Sequence, residues 1–190
     1  MNNTKKKIIL AVTGASGFEY AVKILQLLKE NNVEIHLIIS KSAELTRSLE
    51  TNYTSEEIKK MADYVYSNKD ISSCIASGSF EIDAMVIVPC SAKTLAEIAS
   101  GFSNTLISRA ADVTLKERRT LILSLRETPL NRIHLENMVR VTDAGGIIMP
   151  PLPALYLKPN NIDELIHDSV ARIADLAGIN IEKIKRWSGN

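Results

Sequence analysis

Four short stretches of this chain hold residue types that could do chemistry. Thr13, Gly14, Ala15, Ser16 and Gly17 make a glycine-bracketed turn. Glycines let the backbone approach a ligand, and a helix that follows offers unpaired amide donors to a phosphate or a polar ring edge. Without full G-x-G-x-x-G spacing, the turn alone leaves a ligand loop and a plain structural turn both open. At the second stretch stand Ser40 and Lys41, where a dinucleotide fold usually presents Asp or Glu to ribose hydroxyls; that disfavours NAD and leaves a mononucleotide. The third is Pro89, Cys90, Ser91, Ala92, Lys93 and Thr94, whose hydroxyls at a helix start could donate to a phosphate or a flavin ring, or in which Ser91 could simply cap the helix. In the fourth, Arg126 and Glu127 directly follow an apolar run and put an anion-binding guanidinium beside a carboxylate.

Between Arg109 and Arg140, seven basic residues (Arg109, Lys116, Arg118, Arg119, Arg126, Arg132, Arg140) face four acidic ones (Asp112, Glu117, Glu127, Glu136). Most such charges on helices, Arg118, Arg119 and Arg132 among them, belong to solvated faces. His36, His134 and His167 are scattered, so no metal is expected. Cys74 and Cys90 are too few for a disulfide framework and lack zinc-ligand spacing, which points to a reducing, cytoplasmic setting. Cys90 follows apolar Val88 and Pro89 with no nearby histidine and reads as an inert buried thiol.

The elements that must position these residues alternate strand and helix. Strands are expected over 7–12, 34–39, 84–88, 120–125 and 147–149, and helices follow the first turn and cover 43–50, 55–67, 92–99, a stretch through 110–115, 130–141 and 162–177. Thr54 and Glu57 stand at capping-box spacing, Ser91 should cap the fourth helix, Asn104 the fifth, and Asn160 or Asn161 the last. Pro89 should stop its strand, 68–81 should be irregular, and Pro150, Pro151 and Pro153 should force an extended loop. Continuous apolar strands between helices predict an α/β, Rossmann-like, doubly wound parallel sheet, with ligands outside the carboxyl ends of the strands.

Composition agrees with one such domain over 1–190, ending in a tail at about 178–190. The 190 residues are 45% hydrophobic and 24% charged, far from a disordered composition. Lys and Arg number 23 against 22 Asp and Glu, which gives no general attraction to nucleic acid or an anionic membrane. Lys5, Lys6 and Lys7 before the apolar 8–12 superficially suggest a secretion signal, but the apolar run is too short for one or for a membrane span.

Taken together, these residues resemble the flavin prenyltransferase family, the UbiX and Pad-type flavoproteins formerly described as aromatic acid decarboxylases. The resemblance runs from Thr13 through Trp187. It is carried by 13–17, by Ser40 and Lys41 with Glu50 and Thr51, by Ala76, Ser77, Gly78 and Ser79, and by 89–94, 109–119, 126–129, 134–138 and 149–156. It implies a single-domain flavoprotein that joins a dimethylallyl group from dimethylallyl monophosphate to reduced FMN at N5 and C6. The product, prenylated FMN, would serve UbiD-type decarboxylases in ubiquinone biosynthesis or aromatic acid decarboxylation. By position, Gly14, Ala15, Ser16, Ser40, Ser91, Ala92, Lys93, Thr94 and Arg126 would hold FMN. Tyr156, Arg172, Lys116 and Glu127 would hold the prenyl phosphate, with Arg109 bordering the site. Ser16 and Glu50 would manage the proton at flavin N5, and Lys116 and Glu127 would act on the departing phosphate. The family also implies a metal-independent homo-oligomer, commonly a dodecamer, with Arg172 and Trp187 reaching the site by folding back or from a neighbouring subunit. Departures from the family pattern at Phe18, Glu19, Tyr20, Ile71, Leu157 and Lys158 bear on the prenyl pocket. One alternative is an FMN-dependent cysteine-type decarboxylase, which typically carries a Pro-x-Met-Asn-type motif where this chain reads Arg126, Glu127, Thr128, Pro129, Leu130. Another is a non-catalytic flavin-binding subunit, which would have a damaged phosphate site where Lys116, Glu127, Tyr156 and Arg172 are all present.

Overall fold

The computed structural model describes residues 5–181. Strands β1 (Lys7–Val12), β2 (Glu34–Ile39), β3 (Tyr64–Ser67), β4 (Ala84–Cys90), β5 (Thr120–Leu125) and β6 (Ile147–Ile148) form one six-stranded sheet in the order β3-β2-β1-β4-β5-β6. Every pairing is parallel. Between them lie helices α1 (Phe18–Glu30), α2 (Lys41–Glu50), α3 (Ser55–Lys59), α4 (Ala92–Ala99), α5 (Leu106–Lys116), α6 (Arg132–Asp143) and α7 (Ile162–Leu176).

The uninterrupted apolar strands are explained by cover on both faces. On one face Ile8, Leu10 and Val12 pack with Leu25 and Leu28 of α1 and Val170 and Ile173 of α7. On the other, Ile9 and Ala11 pack with Leu95 of α4 and Ile107 and Ala110 of α5. The sheet is built outward from β1 in both directions, so the strand order switches between β1 and β4. A crevice outside their carboxyl ends follows from that switch.

Several boundaries differ from expectation, each for a local reason. The expected helix over 55–67 stops at Lys59, although its Thr54–Glu57 capping box is present. Tyr64, Val65 and Tyr66 are β-formers, and they pair with β2 as an edge strand, with the Tyr64 ring stacked 4.8 Å from that of buried His36. Pro89 does not end β4, which continues to Cys90 through a register shift between Ile87 and Cys90. The bulge accommodates a residue that has no ladder donor. Thr105, not Asn104, caps α5, because Ser108 stands three residues on and completes a capping box. Helix α2 starts at Lys41 and α6 at Arg132, behind caps Ser40 and Asn131, while Asn161 caps α7. The proline loop leads into a single 3-10 turn, Leu155–Leu157. Trp187 and the far part of the tail lie outside the described residues.

Candidate functional site

The ends of β1, β4 and β5 are tied together around the crevice. The Thr13 hydroxyl donates to the Pro89 carbonyl at 2.9 Å and accepts from the Ser91 amide at 2.8 Å. The Arg126 amide donates to the Cys90 carbonyl at 2.9 Å. Gly14 lets α2 close over the first turn: a Cβ there would lie 2.3 Å from Ser42 Cβ. Ala15 is buried beside it, its amide donating to the Thr13 carbonyl at 2.9 Å.

Three helices begin at this point. Ser40 Oγ accepts from the Ala43 amide at 3.1 Å, Ser91 Oγ from Thr94 at 3.3 Å, and Thr105 Oγ1 from Ser108 at 3.3 Å. The capping reading of Ser91 therefore holds, and capping leaves each hydroxyl a further lone pair or proton for a ligand. The N-termini of α2, α4 and α5 converge on a cleft of about 160 Å³ lined by Gly14, Ser40, Ser91, Lys93, Thr94 and Thr105. Ala92 opens α4 between two of these residues. Lys93 is exposed and pairs with Glu97 at 3.0 Å. Hydroxyls and the positive ends of three helices, with Lys93 held by Glu97 of the same lining, form a donor set that fits a phosphate monoester such as that of FMN.

Glu50 ends α2 and turns back onto α1. Gly17, in the left-handed region at φ 103°, is the N-cap of α1 and brings no side-chain cap of its own. Glu50 Oε2 fills that role, accepting from the Gly17 and Phe18 amides at 2.8 Å each. Burial alone would raise the Glu50 carboxyl. Hydrogen bonds from the Ser16 hydroxyl and the Phe18 and Gly17 amides, with the Arg126 charge, prevail and hold it below the usual carboxylate range. Burial raises the Tyr20 phenol, against the same Arg126 charge. Ser16, Tyr20, Glu50 and Arg126 thus act on one another outside the carboxyl ends of β1 and β5. An ionised Glu50 with a hydroxyl bonded to it is a proton acceptor with a relay.

The remaining expected residues occupy other places. Glu127 is exposed beyond β5, its Oε1 accepting from the Thr128 amide at 3.0 Å. Arg109 donates to the Ala76 carbonyl at 3.3 Å and pairs with Asp112 at 2.7 Å. Tyr156 and Arg172 share a second cavity of about 170 Å³, lined also by Met149, Leu152 and Leu157 and distinct from the cleft. Arg172 pairs with Asp175 at 2.5 Å. Lys116 ends α5 and pairs with Glu117 beside Gly78, at the amino edge of the sheet. The six residues of β5 put about 20 Å between that edge and the crevice. Within one chain, Lys116 therefore does not join Arg126 and Glu50.

Sequence reasoning missed Asn68 and Thr105 as lining residues. The Asn68 side chain accepts from the Ile107 amide at 3.0 Å, capping α5 from an irregular segment with no local signal. Thr105 was legible in its spacing to Ser108. Cys90 is fully buried, which pushes its thiol far up, while Cys74 is exposed. Among the described residues, no cluster of three His, Cys, Asp or Glu side chains could hold a metal ion.

The Flavoprotein family model matches residues 1–177. The flavin prenyltransferase UbiX of Neisseria meningitidis is 49% identical over 184 residues, 97% of either chain. The crystal structure of AnUbiX (PadA1) in complex with FMN and dimethylallyl pyrophosphate superposes with a TM-score of 0.95 at 49% identity, covering 97% of this chain and 98% of that one. A dodecameric FMN-dependent UbiX-like decarboxylase from Escherichia coli O157:H7 superposes at 0.93 with 44% identity, covering 96% and 100%.

Proposed function

The chain belongs to the UbiX-type flavin prenyltransferases, and from that premise we propose that it joins the dimethylallyl group of dimethylallyl monophosphate to N5 and C6 of reduced FMN. The product is prenylated FMN for a UbiD-type decarboxylase. The observation that carries this reading is the Ser16–Glu50–Arg126 cluster set beside a hydroxyl-lined cleft at the strand-order switch.

Ser40, Ser91, Lys93 and Thr94 would bind the FMN phosphate, with Gly14, Ala15 and Ala92 giving the ligand close access to the backbone. Ser16 and Arg126 would face the flavin ring. Reduced FMN, when bound, supplies the nucleophile and a π surface. Glu50, ionised at neutral pH, takes the N5 proton through the Ser16 hydroxyl. Cleavage of the allylic carbon–oxygen bond leaves a cation and a phosphate, so fixed positive charge must hold the phosphate while water is kept from the cation. Arg172, Lys116 and the Tyr156 hydroxyl have the chemistry to bind that phosphate, Glu127 to hold or return its proton, and Arg109 to border it. No metal ion is required by these groups.

Lys116 and the Tyr156–Arg172 cavity lie apart from the cleft within one chain. Neighbouring copies in a homo-oligomer, as in the dodecameric relative, would bring them to it. Exposed Ile133, Leu135 and Val139 on α6 and Leu45 and Leu49 on α2 supply apolar surface for that assembly. No helix among the described residues is long and apolar enough to cross a membrane. Two free cysteines and the water-soluble substrates fit a cytoplasmic enzyme. The test is phosphate release: one inorganic phosphate per flavin with reduced FMN and none with oxidised FMN supports the reaction, and equal release with both refutes it.

A further inference from the structure

The third helix at the cleft differs from the other two. In α2 and α4 the cap hydroxyls take the amides of Ala43 and Thr94, and among the described residues no side chain takes the first two amides of either helix. In α5 each of the first three amides is already engaged. Leu106 donates to the Asn68 carbonyl at 2.9 Å, Ile107 to Asn68 Oδ1 at 3.0 Å and Ser108 to Thr105 Oγ1 at 3.3 Å. Helix α5 therefore brings its dipole to the cleft but no free amide.

Asn68 puts a different donor in that place. It directly follows β3, and Ile39 pairs with Ser67, so Ser40 and Asn68 leave neighbouring strands about 4.8 Å apart at the same level of the sheet. The edge strand is pinned two residues earlier, where the Tyr66 hydroxyl meets Nδ1 of buried His36 at 2.9 Å. An amide N–H can only donate, so the Ile107 bond fixes the orientation of the carboxamide, with its oxygen on α5 and Nδ2 at the other end. Among the described residues Nδ2 has no partner, and it is not sealed in the protein: Ser124 Oγ is the sole buried polar side-chain atom left unpaired. Asn68 lines the cleft together with Ser40, Ser91 and Thr94. Lys93, by contrast, is drawn to Glu97 of the same lining at 3.0 Å.

We propose that Asn68 is a phosphate ligand of this cleft, donating through Nδ2 to the FMN phosphate and so favouring the phosphorylated flavin. The proposal rests on the proposed seat of that phosphate. One side chain then serves both sides of its amide plane: Oδ1 closes the start of α5, and Nδ2 offers the anion a neutral donor that is not shared with Glu97.

The test titrates the full chain by calorimetry with FMN and with riboflavin, which lacks the phosphate, and compares the wild type with Asn68→Asp and Asn68→Ala. Aspartate keeps an acceptor for the Ile107 amide and replaces the donor with a negative charge. Asn68→Asp should therefore melt at or above the wild type, while its FMN affinity falls about tenfold or more and its riboflavin affinity changes less than about twofold. Asn68→Ala loses the donor without gaining charge; it should melt lower and weaken FMN about threefold to tenfold, again with little change for riboflavin. FMN affinity indifferent to both variants, FMN weakened by aspartate alone, or equal loss of FMN and riboflavin would overturn the assignment. Wild-type protein that binds riboflavin as tightly as FMN would instead overturn the phosphate seat, and the role of Asn68 with it.

Discussion

Glu50→Gln removes one negative charge from the first turn of α1 while keeping the side chain's size. The wild-type carboxylate accepts the Gly17 and Phe18 amides at 2.8 Å. A negative charge at a helix N-terminus contributes about 0.3–1 kcal/mol. Making the two charge-assisted hydrogen bonds neutral costs about 0.5–1 kcal/mol more. Glu50 is exposed, so solvent screening favours the low end, about 1 kcal/mol in all. For a chain of this length that is roughly 2–4 °C in Tm. The folded Glu50 titrates below the usual carboxylate range. The stabilisation is therefore complete above the unfolded pKa, about 4.3, and disappears as pH falls through the lower folded value. Thermal melts of both proteins at pH 7 and at successively lower pH should show a gap that closes in acid. Under the proposed proton role, turnover of the variant at neutral pH should also fall about 10²- to 10⁴-fold. Identical melting at pH 7, or a gap that persists in acid, would refute the capping argument.

Gly14→Ala should cost about 1–3 kcal/mol by driving a methyl into Ser42, and it should weaken FMN in the same protein, measured by chemical denaturation and flavin titration. Arg172→Ala should raise the KM for dimethylallyl monophosphate and leave FMN affinity unchanged; equal loss of both would place Arg172 elsewhere in the chemistry. A thiol reagent should titrate Cys74 alone in the folded chain and both cysteines after denaturation, because Cys90 is buried. Rapid reaction of both in the native protein would contradict that burial.

The signals carried by the sequence alone are mostly local. Apolar strands bounded by Gly, Ser and Pro announced the parallel sheet, and the hydroxyls just past them announced the helix starts, because cap and turn chemistry act over three or four residues. Contacts that cross the chain were not legible. Glu50 caps a helix 33 positions earlier, and Asn68 caps one 39 positions later. The resemblance likewise implied one site for Lys116 and Arg126, whereas within one chain β5 runs between them and holds them at opposite edges of the sheet. The edge strand at Tyr64–Ser67 was hidden because its pattern follows on directly from a helix with a sound cap.

The central claim is prenyl transfer to FMN. Purified protein incubated without oxygen with reduced FMN and dimethylallyl monophosphate, followed by mass spectrometry of the released flavin, tests it most directly. A flavin heavier by one five-carbon unit is expected, formed only when both substrates are present. FMN recovered at unchanged mass, from folded protein shown to bind it, would contradict prenyl transfer.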